Sequence, residues 1–321
     1  MNNKKVLLIS GVILFAVIVI IALLNFGQKE TNNSPKIKVV TSFYPLYFFT
    51  SEIVGDKADV SNLIPSGAEP HGYEPTARDM TLIESSNLLV LNGGGLEGWS
   101  ENVQSNLNKD KTKVVVTGEG LTTKTMEEEE HEEHEEHAEE GHHHNGIDPH
   151  IWLSPILAQQ MVDKIEFGLS EVDPSNSSYY KSNAEVLKNK LGVLDEEFKK
   201  GLATCSDKNI ITSHAAFAYL ASAYGLNQIP IAGLSSEEEP SSKEMAEIVK
   251  FAKDNNVKYI FFESLISPKL SETIAKEIGA QTLLLNPIGG LTEDEINSGK
   301  DYFTEMRNNL ANLKIALQCK E

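Results

Sequence analysis

Histidines and glutamates are concentrated in one short segment of this chain, the tract Glu127–His144. Ten glutamates and six of the chain's nine histidines lie in it. Imidazoles and carboxylates bind zinc and similar divalent ions, and a segment with almost no apolar side chain cannot fold by itself. We therefore predict an accessory metal loop, disordered over residues 124–146; a merely solvated acidic loop is the alternative. Its candidate ligands are His131, His134, His137, His142, His143 and His144.

The other three histidines and one glutamate lie where predicted strands end or a helix begins. His214 follows Thr212-Ser213 at the end of one predicted strand, and Glu263 directly follows the apolar run of another. His71 lies in the loop after a third strand, and His150 lies just before a predicted helix. Ligands of open α/β sheets bind at the carboxyl ends of the strands. Three imidazoles and one carboxylate would make a closed four-coordinate site that suits zinc. Taken singly, His71 could be a surface side chain and His214 a satisfied core histidine.

The elements that must position these side chains form two similar halves. Thr41-Ser42 and Thr212-Ser213 each end an apolar strand, and Glu69-Pro70 and Glu239-Pro240 follow at similar offsets. Apolar strands that alternate with helices predict parallel sheets covered on both faces. We therefore predict an α/β fold of two four-stranded parallel-sheet lobes with flanking helices. The predicted strands are 37–42, 60–64, 87–91, 113–116, 209–213, 228–231, 259–262 and 281–285.

A long helix is predicted to join the two lobes, with the metal in the cleft between them. Within residues 174–203, Leu187, Leu191, Leu194 and Phe198 recur at helical spacing. Asp173 is a favourable N-cap, and Pro174 suits the first position of a helix. The predicted boundaries are then an N-terminal lobe of residues 37–173, a linking helix of residues 174–203 and a C-terminal lobe of residues 204–321.

Residues 1–27 have the character of a signal peptide or an N-terminal membrane anchor. Lys4 and Lys5 precede a mostly apolar run, residues 6–26. At about 1.5 Å per residue this run spans about 31 Å, enough to cross a bilayer. The two lysines predict that everything after the run lies outside the cytoplasm. The protein is then either anchored to the cell membrane by residues 6–26 or released after signal cleavage.

Charge and cysteine content narrow the function further. The net charge is −19, to which the ten glutamates of the tract contribute −10, and this acidity argues against a nucleic-acid partner. Cys205 and Cys319 are the only cysteines. In an extracytoplasmic protein they could form one disulfide, and two separate buried thiols are the alternative.

Four motifs give a specific resemblance. Residues 65–75 (PSGAEPHGYEP) resemble the P-x-G-x-D/E-P-H-x-Y/F-E-P loop of ZnuA-like solute-binding proteins, the receptors of zinc and manganese ABC importers. Residues 148–153 (DPHIWL) resemble that family's second histidine motif, and Ser213-His214-x-x-Phe217-x-Tyr219 resembles its third. Residues 260–263 (IFFE) resemble the strand that ends in its fourth ligand, an Asp or Glu. The resemblance covers roughly residues 37–318.

The resemblance implies a function as well as a fold. It implies a non-catalytic, monomeric receptor that binds Zn²⁺ through His71, His150, His214 and Glu263 and delivers it to the permease of a metal ABC importer. A histidine at position 214 favours Zn²⁺ over Mn²⁺, because manganese members tend to have a carboxylate there. The family's lipid-anchor cysteine is absent near Phe26, so residues 6–26 are the expected anchor. A zinc-dependent hydrolase and a surface adhesin with a structural metal are the alternatives.

Overall fold

Two four-stranded parallel sheets organise the computed structural model, which describes residues 36–125 and 146–320. The strands are β1 (Ile37–Thr41), β2 (Ala58–Asn62), β3 (Leu88–Leu91), β4 (Lys113–Val116), β5 (Asn209–Thr212), β6 (Asn227–Pro230), β7 (Tyr259–Phe262) and β8 (Gln281–Leu284). The sheet of the N-terminal lobe, lobe one, has the order β2-β1-β3-β4, and the sheet of the C-terminal lobe, lobe two, has the equivalent order β6-β5-β7-β8. The predicted pair of parallel sheets and the internal repeat are therefore confirmed.

Helices connect successive strands in both lobes, as parallel pairing requires. The helices are α1 (Tyr44–Val54), α2 (Ala77–Ser85), α3 (Ser100–Asn106), α4 (Pro155–Val172), α5 (Ser177–Leu202), α6 (Ala218–Tyr224), α7 (Ser242–Asp254), α8 (Lys269–Ile278), α9 (Glu293–Asn297) and α10 (Tyr302–Ala316). The corresponding helices α2 and α7 both begin with a capping box, formed by Thr76 and Asp79 in lobe one and by Ser241 and Glu244 in lobe two.

The long helix α5 connects the two lobes. It packs against α4 and α1 of lobe one and against α10 of lobe two, so both lobes belong to one compact unit, Ile37–Glu321. Leu187, Leu191 and Leu194 are buried along it, which accounts for their helical spacing. The helix begins at Ser177 and not at residue 174, because residues 174–176 form a 3₁₀ turn whose side chains bond to the Asp173 carboxylate.

Two of the four edge strands, β2 and β6, are offset from their predicted bounds. Strand β2 covers residues 58–62 where 60–64 was predicted, and β6 covers residues 227–230 where 228–231 was predicted. Both are edge strands, so only one side of each is paired and polar residues such as Asp59 and Asn227 are tolerated. Hydrophobic runs therefore locate these polar edge strands less well than the apolar edge strand β4, whose predicted and observed bounds agree.

The predicted membrane segment lies outside the described residues, as do residues 126–145 of the accessory loop. No helix within residues 36–125 and 146–320 combines the length and the apolar character that crossing a bilayer requires. The described ends of the loop are ordered, in contrast to the prediction of disorder from residue 124 to residue 146. Thr125 and Ile147 form an antiparallel bridge, and Asp148 N donates to Lys124 O at 2.9 Å. We refer to residues 123–125 and 147–148 as the stem of the tract.

A disulfide joins Cys205, just after α5, to Cys319, just after α10. The two cysteines are separated by 114 residues in the sequence. The bond therefore closes a loop around nearly the whole of lobe two. In the chain-entropy model, closing a loop of this length stabilises a protein by roughly 4–5 kcal/mol.

Thiol labelling of the unfolded, unreduced protein should modify neither cysteine. After reduction both should react, and the free energy of unfolding measured by denaturant titration should fall by roughly 4–5 kcal/mol. The Cys205→Ser, Cys319→Ser double variant is the control, because its stability should be insensitive to the reductant. Two reactive thiols before reduction would contradict the bond.

Candidate metal centre

Each side chain of the centre comes from the carboxyl-terminal edge of a sheet or from a loop beside it. His214 lies two residues after the end of β5, and Glu263 directly follows β7, the neighbour of β5 in the sheet of lobe two. His71 lies in the loop after β2, and His150 lies immediately before a 3₁₀ turn that leads into α4. Lobe two therefore provides His214 and Glu263 from the ends of two adjacent strands. Lobe one provides His71 and His150 from loops that extend toward these two side chains.

The three histidines turn the same ring atom toward one another. His71 Nε2 lies 3.1 Å from His150 Nε2, and His150 Nε2 lies 3.3 Å from His214 Nε2. Tetrahedral zinc with Zn–N bonds of about 2.0–2.1 Å separates its ligand nitrogens by about 3.3 Å. The spacing of these nitrogens therefore suits a tetrahedral cation bound by all three, and we refer to them as the three-histidine cluster.

Two buried carboxylates orient two of these rings from behind. His150 Nδ1 lies 2.8 Å from Asp148 Oδ1, and His214 Nδ1 lies 2.7 Å from Glu263 Oε1. An Nδ1–H that donates to a carboxylate leaves the Nε2 of a neutral ring as a lone pair. The lone pairs of His150 and His214 then face each other at 3.3 Å, an arrangement that a shared cation makes favourable.

The surroundings shift the pKa values of these two histidines in opposite directions. Burial, and secondarily the charge of His214, hold the pKa of His150 well below its usual range, so this ring stays neutral. Burial also opposes ionisation of His214, but the charge and hydrogen bond of Glu263 outweigh it and raise the pKa of His214. Burial raises the pKa of Asp148 to about 7. A proton therefore competes with a metal ion for the His214 ring of the cluster.

Glu263 contacts the three-histidine cluster by its hydrogen bond with His214. Its Oε1 lies against Nδ1, on the side of the His214 ring away from the other histidines, and the carboxylate is not among the converging ligand atoms. A second carboxylate, Glu69, lies with its Oε1 4.0 Å from His71 Nε2. Burial raises the pKa of Glu69. The direct ligand role predicted for Glu263 stays a prediction, and the structure shows the contact by which it also orients a ligand.

His71 is the most accessible of the three rings. Its side chain is 11% exposed, whereas His150 and His214 are each 1% exposed. A cation therefore reaches the cluster most directly from the His71 side. The acidic side chain of Glu237 in lobe two lies against Gly72, the residue next to His71, and adds negative charge at this side.

Several supporting residues were missed by the sequence reasoning. Asp148 belongs to the second histidine motif, and its position two residues before His150 is a signal in the sequence for their contact. Asn92 Nδ2 donates to Pro149 O at 2.9 Å, which holds the His150 turn from lobe one. Trp152 Nε1 donates to Pro287 O at 2.7 Å, which ties the same segment to lobe two. No local pattern marks these last contacts, because their partners lie 57 and 135 residues away.

Comparison with known proteins identifies relatives over almost the whole described chain. The family model ZnuA, described as zinc-uptake complex component A, periplasmic, matches residues 39–316. The high-affinity zinc uptake system protein ZnuA of Bacillus subtilis (strain 168) is 42% identical over 299 residues, which are 92% of this chain and 93% of that protein. The zinc-binding protein AdcA of Streptococcus pyogenes serotype M3 is 39% identical over 295 residues.

That alignment covers 89% of this chain but only 57% of AdcA, so the chain spans little more than half the length of this relative. A solved structure gives the same correspondence. The Zn(II)-bound ZnuA-like domain of Streptococcus pneumoniae AdcA is 36% identical and superposes with a TM-score of 0.72 over 88% of this chain and 99% of that domain. The two-lobed architecture is thus shared with a protein whose structure contains zinc.

Proposed function

The chain belongs to the ZnuA family of zinc-uptake proteins, and on this premise we propose that it captures Zn²⁺ outside the cytoplasm and delivers it to a metal ABC permease. The observation that carries this proposal is the convergence of three histidine Nε2 atoms at 3.1 and 3.3 Å between two lobes. The metal is cargo, so the site must bind it tightly and also release it. Ligands divided between two lobes suit both tasks, because a small relative movement of the lobes separates them.

The donor set supports zinc as the cargo. His71, His150 and His214 offer three imidazole nitrogens, and Glu263 supplies either a fourth ligand or the hydrogen bond that orients His214. Imidazole suits zinc, whereas manganese favours carboxylate, carbonyl and water oxygens. Zn²⁺ is therefore the favoured cargo and Mn²⁺ the less favoured one. Neither a zinc-dependent hydrolase nor an adhesin is favoured by the family relationship.

The remaining parts of the proposal concern location and partners. The chain acts outside the cytoplasm as a non-catalytic monomer, held at the membrane by residues 6–26 or released after cleavage of residues 1–27. Its partner is the membrane permease of a metal ABC importer. The N-terminal charge pattern supports the orientation, and the family supports the kind of partner.

The tract Glu127–His144 is an accessory metal site in this proposal. Its six histidines lie on a polar segment, so each binding event must offset the entropy of ordering the chain. The ligands of the cleft are already positioned by strands and hydrogen bonds. The tract should therefore bind further zinc ions more weakly, and its ten glutamates should raise the local cation concentration near the cleft.

Deletion of Glu127–His144 tests this proposal. The deletion leaves Met126, Asn145 and Gly146 between the paired residues Thr125 and Ile147, and a three-residue connection is a common hairpin length. We expect fewer zinc ions per chain but an unchanged affinity of the tightest site, measured by titration calorimetry. In cells that lack the parent chain, the variant should restore zinc uptake when zinc is ample and lag when it is scarce.

The matched control replaces the six tract histidines by glutamine and keeps the length and the glutamates of the tract. This control should lose the extra zinc ions while it retains the electrostatic attraction, which salt screens. Loss of the tightest site on deletion would show that the tract, and not the cleft, holds the principal metal. Unimpaired zinc uptake in cells without the chain would contradict the transport role.

A further inference from the structure

The hydroxyl group of Tyr219 joins lobe two to the segment of lobe one that carries His150. Its oxygen accepts hydrogen bonds from the backbone N–H groups of Thr123 at 2.9 Å and Lys124 at 3.1 Å. It donates one hydrogen bond to the carbonyl oxygen of Asp148 at 3.0 Å. The tyrosine is 5% exposed, so these bonds form largely away from water. One side chain thereby contacts both sides of the stem of the tract.

This phenol uses its full hydrogen-bonding capacity. A tyrosine hydroxyl has one donor and two acceptor lone pairs, and all three are directed at backbone groups of the stem. Contacts with backbone atoms fix the path of the chain irrespective of the side chains that the stem carries. Tyr219 lies on α6, five residues after His214, so the same segment of lobe two provides a ligand and this contact.

The bond to Asp148 leads directly to the metal centre. Asp148 Oδ1 accepts from both the backbone N–H of His150 at 2.9 Å and the ring Nδ1 of His150 at 2.8 Å. Fixing the backbone of Asp148 therefore fixes the group that orients the His150 ring. From the opposite side, Asn92 of lobe one bonds to the carbonyl oxygen of Pro149. The turn Asp148–His150 is thus held between the two lobes.

We propose that Tyr219 is a positioning residue of the metal centre, which holds the Asp148–His150 turn where His150 Nε2 meets His214 Nε2. This inference rests on the proposed zinc site. Without the hydroxyl, two N–H groups and one carbonyl of the stem lose their partner and the turn moves to find others. The nitrogen of His150 then no longer lies at the ligand spacing, although every ligand is still present.

Tyr219→Phe in the full chain removes one oxygen and keeps the ring. We expect the affinity of the tightest site for Zn²⁺ to fall about tenfold. Loss of an outer partner of a metal ligand typically weakens binding by about 10–100-fold, and Tyr219 acts one step further out, because it holds Asp148, the outer partner of His150. The number of zinc ions bound should not change. Competition with a chromophoric chelator measures the affinity. The visible absorption of the Co²⁺-loaded protein should also change, because it reports the ligand geometry.

The matched control is Tyr224→Phe. It lies on the same helix and loses the same kind of bond, a hydroxyl that donates to Asp195 Oδ1 at 3.0 Å on α5. This variant should keep the parent's zinc affinity and Co²⁺ spectrum even where its melting temperature falls. An effect confined to Tyr219→Phe therefore separates positioning of the ligand from a general loss of stability.

The experiment distinguishes failure of the role inferred for Tyr219 from failure of the proposed zinc-binding function. A parent that binds zinc tightly, with a Tyr219→Phe variant of equal affinity and spectrum, overturns this inference and leaves the proposed function intact. A parent without a tight zinc site overturns the function itself. If the variant does not fold, hydrogen exchange on the unaltered protein decides. The amides of Thr123 and Lys124 should be protected as those of paired strands are, and rapid exchange of both would refute the contact.

Discussion

Replacing His214 by alanine should lower the affinity of the cleft for Zn²⁺ by more than tenfold, which corresponds to more than about 1.4 kcal/mol. The substitution removes one of the three converging nitrogens. It also leaves the Glu263 carboxylate, which is 3% exposed, without the ring N–H to which it is bonded. The zinc affinity of the purified variant, measured by competition with a chelator, checks this expectation.

The matched control for this substitution is His142→Ala. It removes the same side chain from the tract, so it should lower the zinc stoichiometry or leave it unchanged without affecting the tightest site. Alanine variants of His71, His150 and Glu263 complete the series. If all four single variants of the cleft bound zinc as the parent does, the assignment of the site would be wrong.

Glu263→Gln separates the two roles open to this carboxylate. A glutamine oxygen still accepts a hydrogen bond from His214 Nδ1, but it carries no negative charge with which to bind the metal or polarise the ring. If Glu263 acts through His214 alone, affinity should fall within the range of about 10–100-fold seen for outer partners. If it is also a direct ligand, the Co²⁺-loaded variant should change its coordination spectrum as well. The two results assign the fourth position of the site.

The parallel strands were predictable because the central strands β3 and β7 are apolar throughout. A strand buried on both faces needs a continuous apolar run, and β3 (Leu88–Leu91) and β7 (Tyr259–Phe262) have one. The edge strands β2 and β6 carry polar residues, and their predicted bounds are therefore offset from the observed ones. The first turn of the linking segment was also misplaced, because Pro174 suits a 3₁₀ turn as well as the start of an α-helix.

The ligand histidines were predictable from their positions at strand ends and turns, but the groups that orient them were only partly predictable. Asp148 lies two residues from His150, so their contact is local and the sequence contains its signal. The contact of Glu263 with His214 spans 49 residues and depends on β5 and β7 being neighbours. Tyr219 contacts backbone groups 71 to 96 residues away. Such contacts follow from tertiary structure, and no spacing rule reveals them.

Acid should weaken zinc binding, by up to about a hundredfold between pH 7 and pH 5 when one proton competes with the metal. Zinc binds only a neutral imidazole. Burial opposes the charged form of His214, but the charge of Glu263 and its hydrogen bond, together with the charges of Glu69 and Asp148, raise the pKa of this histidine above its usual 6.5. Below that raised pKa, His214 Nε2 carries a proton in the metal-free protein.

The sign of the effect follows from this direction of the shift. As the pH falls below the pKa of His214, each further unit adds up to about tenfold to the competition, whereas above that pKa the affinity levels off. His150 adds little, because burial and then the charge of His214 keep its pKa well below the usual range. Zinc affinity measured from pH 8 to pH 5 in one non-chelating buffer series checks the prediction. His214→Ala, which lacks the competing group, should show a shallower dependence, and an affinity that stays constant from pH 7 to pH 5 in the parent would rule out a three-histidine zinc site.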